Sequence, residues 1–90
     1  MEVSKVIIRK VFAENERLSA LVSVVFDDMF VIHDIKIING DLRRFVAMPS
    51  KRDKEGAFHD IAHPIKAEAR EEIENRILSL YEKELENIEA

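Results

Sequence analysis

Leu18-Ser19-Ala20-Leu21-Val22-Ser23-Val24-Val25-Phe26 alternates, with Leu18, Ala20, Val22, Val24 and Phe26 on one side and Ser19 and Ser23 on the other. A two-residue period belongs to a β-strand with one buried face, because successive side chains leave a strand in opposite directions. Asp27-Asp28 follows as a tight-turn signal, and Met29 to Ile38 predicts the returning strand. Upstream, residues 3–12 carry Val3, Val6, Ile7, Ile8, Val11 and Phe12 and predict another strand, joined through the polar turn Ala13-Glu14-Asn15-Glu16-Arg17. Downstream, Asn39-Gly40 marks a turn, and Phe45–Met48 and Ala57–Ala62 predict two short final strands. The pattern is a five-stranded antiparallel meander, without the strand–helix alternation that a parallel sheet requires.

From about Pro64 the period changes. Ala69, Ile73, Ile77, Leu80, Tyr81, Leu85 and Ile88 recur every three or four residues, the stripe of an amphipathic helix. Pro64 is expected in its first turn, and Glu68, Glu71 and Glu72 suit the positive end of the helix dipole. The predicted class is α+β, with one domain over residues 1–85 and a frayed tail at 86–90. The strands are apolar on both faces: Ile7 and Val11 stand opposite Val6, Ile8 and Phe12, and Val31, Ile35 and Ile37 opposite Phe30, Ile32 and Ile38. One helix covers one face, so the sequence predicts a homodimer, and the short last strand is a candidate for exchange between subunits.

Composition narrows the function. Ninety residues suffice for a single core. The absence of cysteine excludes disulfides, thiolate metal sites and a cysteine nucleophile. No apolar run approaches the ~20 residues that span a bilayer, and the Met-Glu start shows no secretory signal, so a cytoplasmic protein without membrane contact is expected. The net charge of −4 is uneven: residues 1–65 hold ten basic and ten acidic residues, while residues 66–90 hold four basic and eight acidic. Between Arg43 and Lys54, five cations face one acid, Asp53. A basic patch on a neutral body can bind nucleic acid although the whole chain is acidic.

That patch lies in Phe45-Val46-Ala47-Met48-Pro49-Ser50-Lys51-Arg52, where an apolar run stops at proline and passes into cations. Asp53-Lys54-Glu55-Gly56 then turns the chain toward Asp60-Ile61-Ala62-His63-Pro64-Ile65. The expected form is strand, basic loop and return strand, with Lys51, Arg52 and Lys54 at the tip as phosphate contacts. Arg43 and Arg44 precede the same strand and extend the candidate strip. Met48 is expected in the core, and Pro49 to end the strand, since proline cannot donate to a ladder.

FVAMPSKR, a glycine-containing gap and DIAHPI resemble the signature of the SpoVG family. The opening Met1-Glu2-Val3 and Phe30-Val31-Ile32-His33-Asp34-Ile35-Lys36-Ile37-Ile38-Asn39-Gly40 are similar to it as well, so the resemblance spans roughly residues 1–80. It implies a small dimeric bacterial regulator that binds nucleic acid, connected with sporulation and septum formation. Four residues depart from the family pattern: His59 stands for the usual Arg, Lys66 for the usual Asn, and Arg43 and Arg44 occupy what is usually an Asn/Gly-rich turn.

His33-Asp34, His59-Asp60 and His63 invite a metal reading, and Asp60-x-x-His63 could converge on an ion. Adjacent residues of a strand point to opposite faces, however, so neither His-Asp pair chelates one ion directly. His33 and His63 are expected in structural hydrogen bonds. Ser4, Ser19, Ser23, Ser50 and Ser79 lie in no Gly-rich elbow, and with Gly40 and Gly56 as the only glycines there is no phosphate-cradling loop. Taken with the resemblance, the sequence predicts a non-enzymatic regulator that binds DNA, with RNA as a further candidate ligand. No cofactor, metal or small-molecule substrate is expected. The rivals are a protein-interaction module and, behind it, a metal-dependent hydrolase built on the His-Asp pairs.

Overall fold

The computed structural model describes residues 2–13 and 16–89. Among these, six strands and one helix follow in order: β1 (Val3–Val11), β2 (Leu18–Phe26), β3 (Phe30–Asn39), β4 (Arg44–Ala47), β5 (Ser50–Arg52), β6 (Phe58–Asp60) and α1 (Ala67–Glu89). The class is α+β, as the sequence predicts. Glu14 and Asn15 of the expected first turn, Met1, and Ala90 of the expected tail lie outside the described residues.

β1 to β4 form an antiparallel meander in sequence order. Asp27 and Asp28 take φ of 51° and 55°, giving the mirror-image turn whose twist matches paired strands. The turn is tied down: Glu2 N–H donates to Asp27 Oδ1 (3.0 Å), and Asp28 N–H donates to Ser4 Oγ (3.0 Å). At the next corner Gly40 N–H donates to Arg43 O (3.1 Å). A Cβ on Gly40 would lie 2.6 Å from that same oxygen, so only glycine closes the turn.

Three expectations about the elements need correction. The predicted single five-stranded meander is a four-stranded sheet plus a separate two-stranded one, β5 with β6. β4 pairs with β3 alone, because Pro49 has no N–H to continue the ladder and the chain leaves the sheet there. Ser50–Arg52, expected as loop, is itself a strand, and the turn falls at residues 53–57. The helix begins at Ala67 instead of Pro64, with Arg70 N–H donating to Lys66 O (3.0 Å) in its first turn.

The core lies between the meander and α1. Val3, Val6, Ala20, Val22, Val24, Phe26, Ile35, Ile37 and Val46 meet Ile73, Ile77 and Tyr81, and Met48 seals the side. Burying a side chain such as Ile77 stabilises by about 1.5–3 kcal/mol relative to exposure. Leu80 and Leu85 pack beside this cluster, whereas the side chain of Ile88 lies outside the described residues. The expected split of β3 into two apolar faces fails at Asp34, whose φ of 61° interrupts the alternation. Ile32 consequently pairs with Val24 and Ile35 with Val22, so both join the helix side and Val31 turns outward. Among the described residues, no helix is long and apolar enough to cross a membrane.

Candidate nucleic-acid interface

The β5–β6 hairpin begins where Pro49 breaks the meander, and Ile61 N–H closes its base on Pro49 O (2.7 Å). All six strand residues are exposed. Ser-Lys-Arg has no apolar residue to bury, so this hairpin stands away from the core.

Asp53 organises the tip. Its backbone N–H donates to Ala57 O (2.8 Å), and its carbonyl accepts from Gly56 N–H (3.1 Å). Its Oδ1 accepts from the N–H groups of Glu55 and Ala57, each at 2.9 Å. Its Oδ2 lies 2.7 Å from His59 Nε2. These bonds favour the ionised carboxylate, His59 most and the backbone donors after it, and hold the carboxyl below its ordinary 3.8. Gly56 completes the turn at φ 92°, in the left-handed region. Asp53 and His59 therefore shape the site, although sequence reasoning did not single them out for it. The available signal was an aspartate opening a turn that contains glycine.

Pairing fixes where the cations point. Lys51 stands opposite His59, and Arg52 opposite Phe58, with the Arg52 guanidinium 5.9 Å from the Phe58 ring centre. Lys51 and Arg52, adjacent in a strand, thus occupy opposite faces of the ribbon. Lys54 projects from the tip. Residues 50–60 also hold Asp53, Glu55 and Asp60, but Asp53 is taken up by the turn and Asp60 leans toward His63 (3.5 Å) and Arg70 (4.0 Å).

Arg43 and Arg44 engage the helix instead. Arg43 Nη1 donates to Glu74 Oε1 (2.9 Å), while Glu74 Oε2 accepts from Val46 N–H (3.3 Å). The guanidinium of Arg44 lies 5.6 Å from the ring centre of Tyr81. The charge of Arg43 is thus matched within the fold. Asp60 and His63 do approach each other, but among the described residues no group of three or more His, Asp or Glu is placed to hold a metal ion.

The family model for SpoVG matches residues 1–83. The chain belongs to the SpoVG family. SpoVG relatives resemble it over nearly their whole length. It is 51% identical to a protein of Clostridium beijerinckii over 83 residues, covering 92% of this chain and 90% of the relative. It is 55% identical to one of Desulforudis audaxviator over 82 residues, covering 91% and 92%. It is 47% identical to one of Agathobacter rectalis over 88 residues, covering 98% and 100%. Each is named "Putative septation protein SpoVG". The SpoVG match takes in the entire meander and hairpin and ends within α1.

Proposed function

We propose that this chain is a non-enzymatic regulator in septation and sporulation that binds nucleic acid, DNA first and RNA as the alternative, through the β5–β6 hairpin. The observation that carries the reading is a ribbon exposed along both strands, with a cation on each face and a third at its tip. A two-stranded ribbon fits the major groove of duplex DNA, about 12 Å wide. Cations on opposite faces would meet phosphates on the two walls of that groove. Such contacts position the ribbon without reading sequence. Lys51, Arg52 and Lys54 carry the contacts, and Arg43 and Arg44 contribute less because they are committed to α1.

The active form is a homodimer. Ile61 and Ile65 are 68% and 90% exposed, an apolar patch at the exit of the hairpin that a second copy would cover. Two-stranded hairpins are marginal alone, so the partner would also stiffen the binding element. Titration of duplex DNA and single-stranded RNA at several salt concentrations tests the function. Affinity that falls as salt rises, and falls again when the three hairpin cations are removed, supports it. Absence of affinity for either polymer near physiological salt would leave the protein-interaction reading in its place.

A further inference from the structure

The meander has a second face, turned away from α1, and two register shifts converge on it. β1 slips between Ile8 and Lys10, making Arg9 the extra residue. The β2–β3 pairing slips between Val22 and Val24, so His33 and Asp34 share the place opposite Ser23. Bulges re-aim side chains, and both of these aim at Ser23. Arg9 Nε–H donates to Ser23 Oγ at 3.1 Å, and Ser23 Oγ lies 2.7 Å from His33 Nδ1. Ser23 is only 1% exposed. A guanidinium can only donate, so Ser23 Oγ accepts from Arg9 and keeps a second hydrogen bond with the His33 ring. Arg9 is thus held through Nε alone, and its two terminal amino groups remain available as a planar fork for paired oxygens.

Three lysines stand on the same face of the sheet. Lys5 pairs with Val25, and Lys10 and Lys36 flank Leu21 on either side. Leu21, Ser23 and Val25 alternate along one strand, so these lysines share the face of Ser23. All three are exposed, and among the described residues neither they nor Arg9 enter an ion pair.

We propose that this outer face is a second phosphate-binding surface, on which Arg9 takes a backbone phosphate of nucleic acid in its fork and Lys5, Lys10 and Lys36 track its neighbours. The inference rests on the reading that the chain binds nucleic acid and assigns it a surface separate from the hairpin. An acidic protein segment fits less well, because protein anchors fill pockets. Two cavities, of about 420 and 120 Å³, both border Ile73 of α1, on the other side of the sheet. A second copy docked face to face would set these cations against their own equivalents, since a two-fold contact repeats the same patch.

Labelled duplex DNA, titrated over a salt series, provides the test, with inorganic phosphate and poly-glutamate as comparison ligands. Lys5→Gln, Lys10→Gln and Lys36→Gln together remove exposed side chains, so the variant should unfold at the wild-type temperature. Each lost phosphate contact lowers the salt slope by about 0.9, so the expected loss is about 2.7 per chain. Arg9→Lys keeps the charge but abolishes the fork, and should weaken DNA binding severalfold with little change in slope. Competition by inorganic phosphate that disappears in Arg9→Lys would also support the fork. Unchanged affinity and slope in the triple variant, while the hairpin variant loses both, would overturn this inference and leave the hairpin reading standing. Wild type without DNA affinity would overturn the two together. A triple variant that loses poly-glutamate but keeps DNA would make the face a protein-docking surface and also overturn it.

Discussion

The meander with its helix and the β5–β6 hairpin follow opposite rules. In the first, Val22, Val24, Ile35, Ile37 and Ile77 are wholly buried, and Arg43 is matched by Glu74. In the second, every strand residue is exposed, and order comes from one carboxylate, Asp53, gathering two backbone donors and a histidine. The body gains stability from apolar area. The hairpin owes its shape to local hydrogen bonds, which leaves its cations free for a ligand. Substitutions in the core and in the hairpin should therefore fail differently, by unfolding in one and by lost recognition in the other.

The largest effect is expected in the body. Ile77→Ala should cost about 2–5 kcal/mol in denaturant unfolding, with Ile73→Ala toward the lower end because Ile73 is 7% exposed and Ile77 fully buried. A loss of only a few tenths would mean that α1 does not seal the core and that the contrast with the hairpin is false.

Next comes the apolar patch. Ile61→Ser with Ile65→Ser should convert a dimer to a monomer by light scattering while the thermal transition of each chain persists. A wild-type monomer at micromolar concentration would remove the dimer, and a dimer insensitive to both changes would move its contact to another surface.

The smallest effect is in the tip. The carboxyl of Asp53 is depressed in the folded hairpin, so its contribution is complete above 3.8 and is lost as pH falls through the lower folded value. The amide signals of Glu55 and Ala57 should follow that titration by NMR. His59→Ala should move its midpoint up toward 3.8, because the histidine bond is the largest cause of the depression. A midpoint indifferent to His59 would show that the backbone donors alone set the tip.

What could be read from the sequence divides along the same line. β2 runs Leu18–Phe26 as its alternation indicates, the Asp27-Asp28 turn is where its residues place it, and Ile73, Ile77 and Tyr81 form the buried stripe. These features depend on burial, and burial leaves a period. Ser50–Arg52 is a strand without any apolar residue, so no period announces it, and the hairpin tip was expected a few residues too early. The bulges at Arg9 and Asp34 were equally silent. Neither contains glycine, and they reveal themselves only through the partner strand, where Ser23 brings Arg9 and His33 together. Lys51, Arg52 and Lys54 were legible as a cationic cluster, but their assignment to opposite faces and tip needed the pairing register. The commitment of Arg43 to Glu74 joins residues 31 apart and follows from α1 packing on β4.

The claim that the hairpin is a recognition element carried on an independent body is tested most directly by one comparison. Wild type and the combined Lys51→Ala, Arg52→Ala and Lys54→Ala variant are titrated with duplex DNA over a salt series, and thermal unfolding is recorded for both. Unfolding should change by no more than about 0.5 kcal/mol, as for surface substitutions generally. Affinity should fall, and the salt slope should flatten by up to about 2.7 per chain as three phosphate contacts disappear. A folded variant with wild-type affinity and wild-type slope would contradict the account.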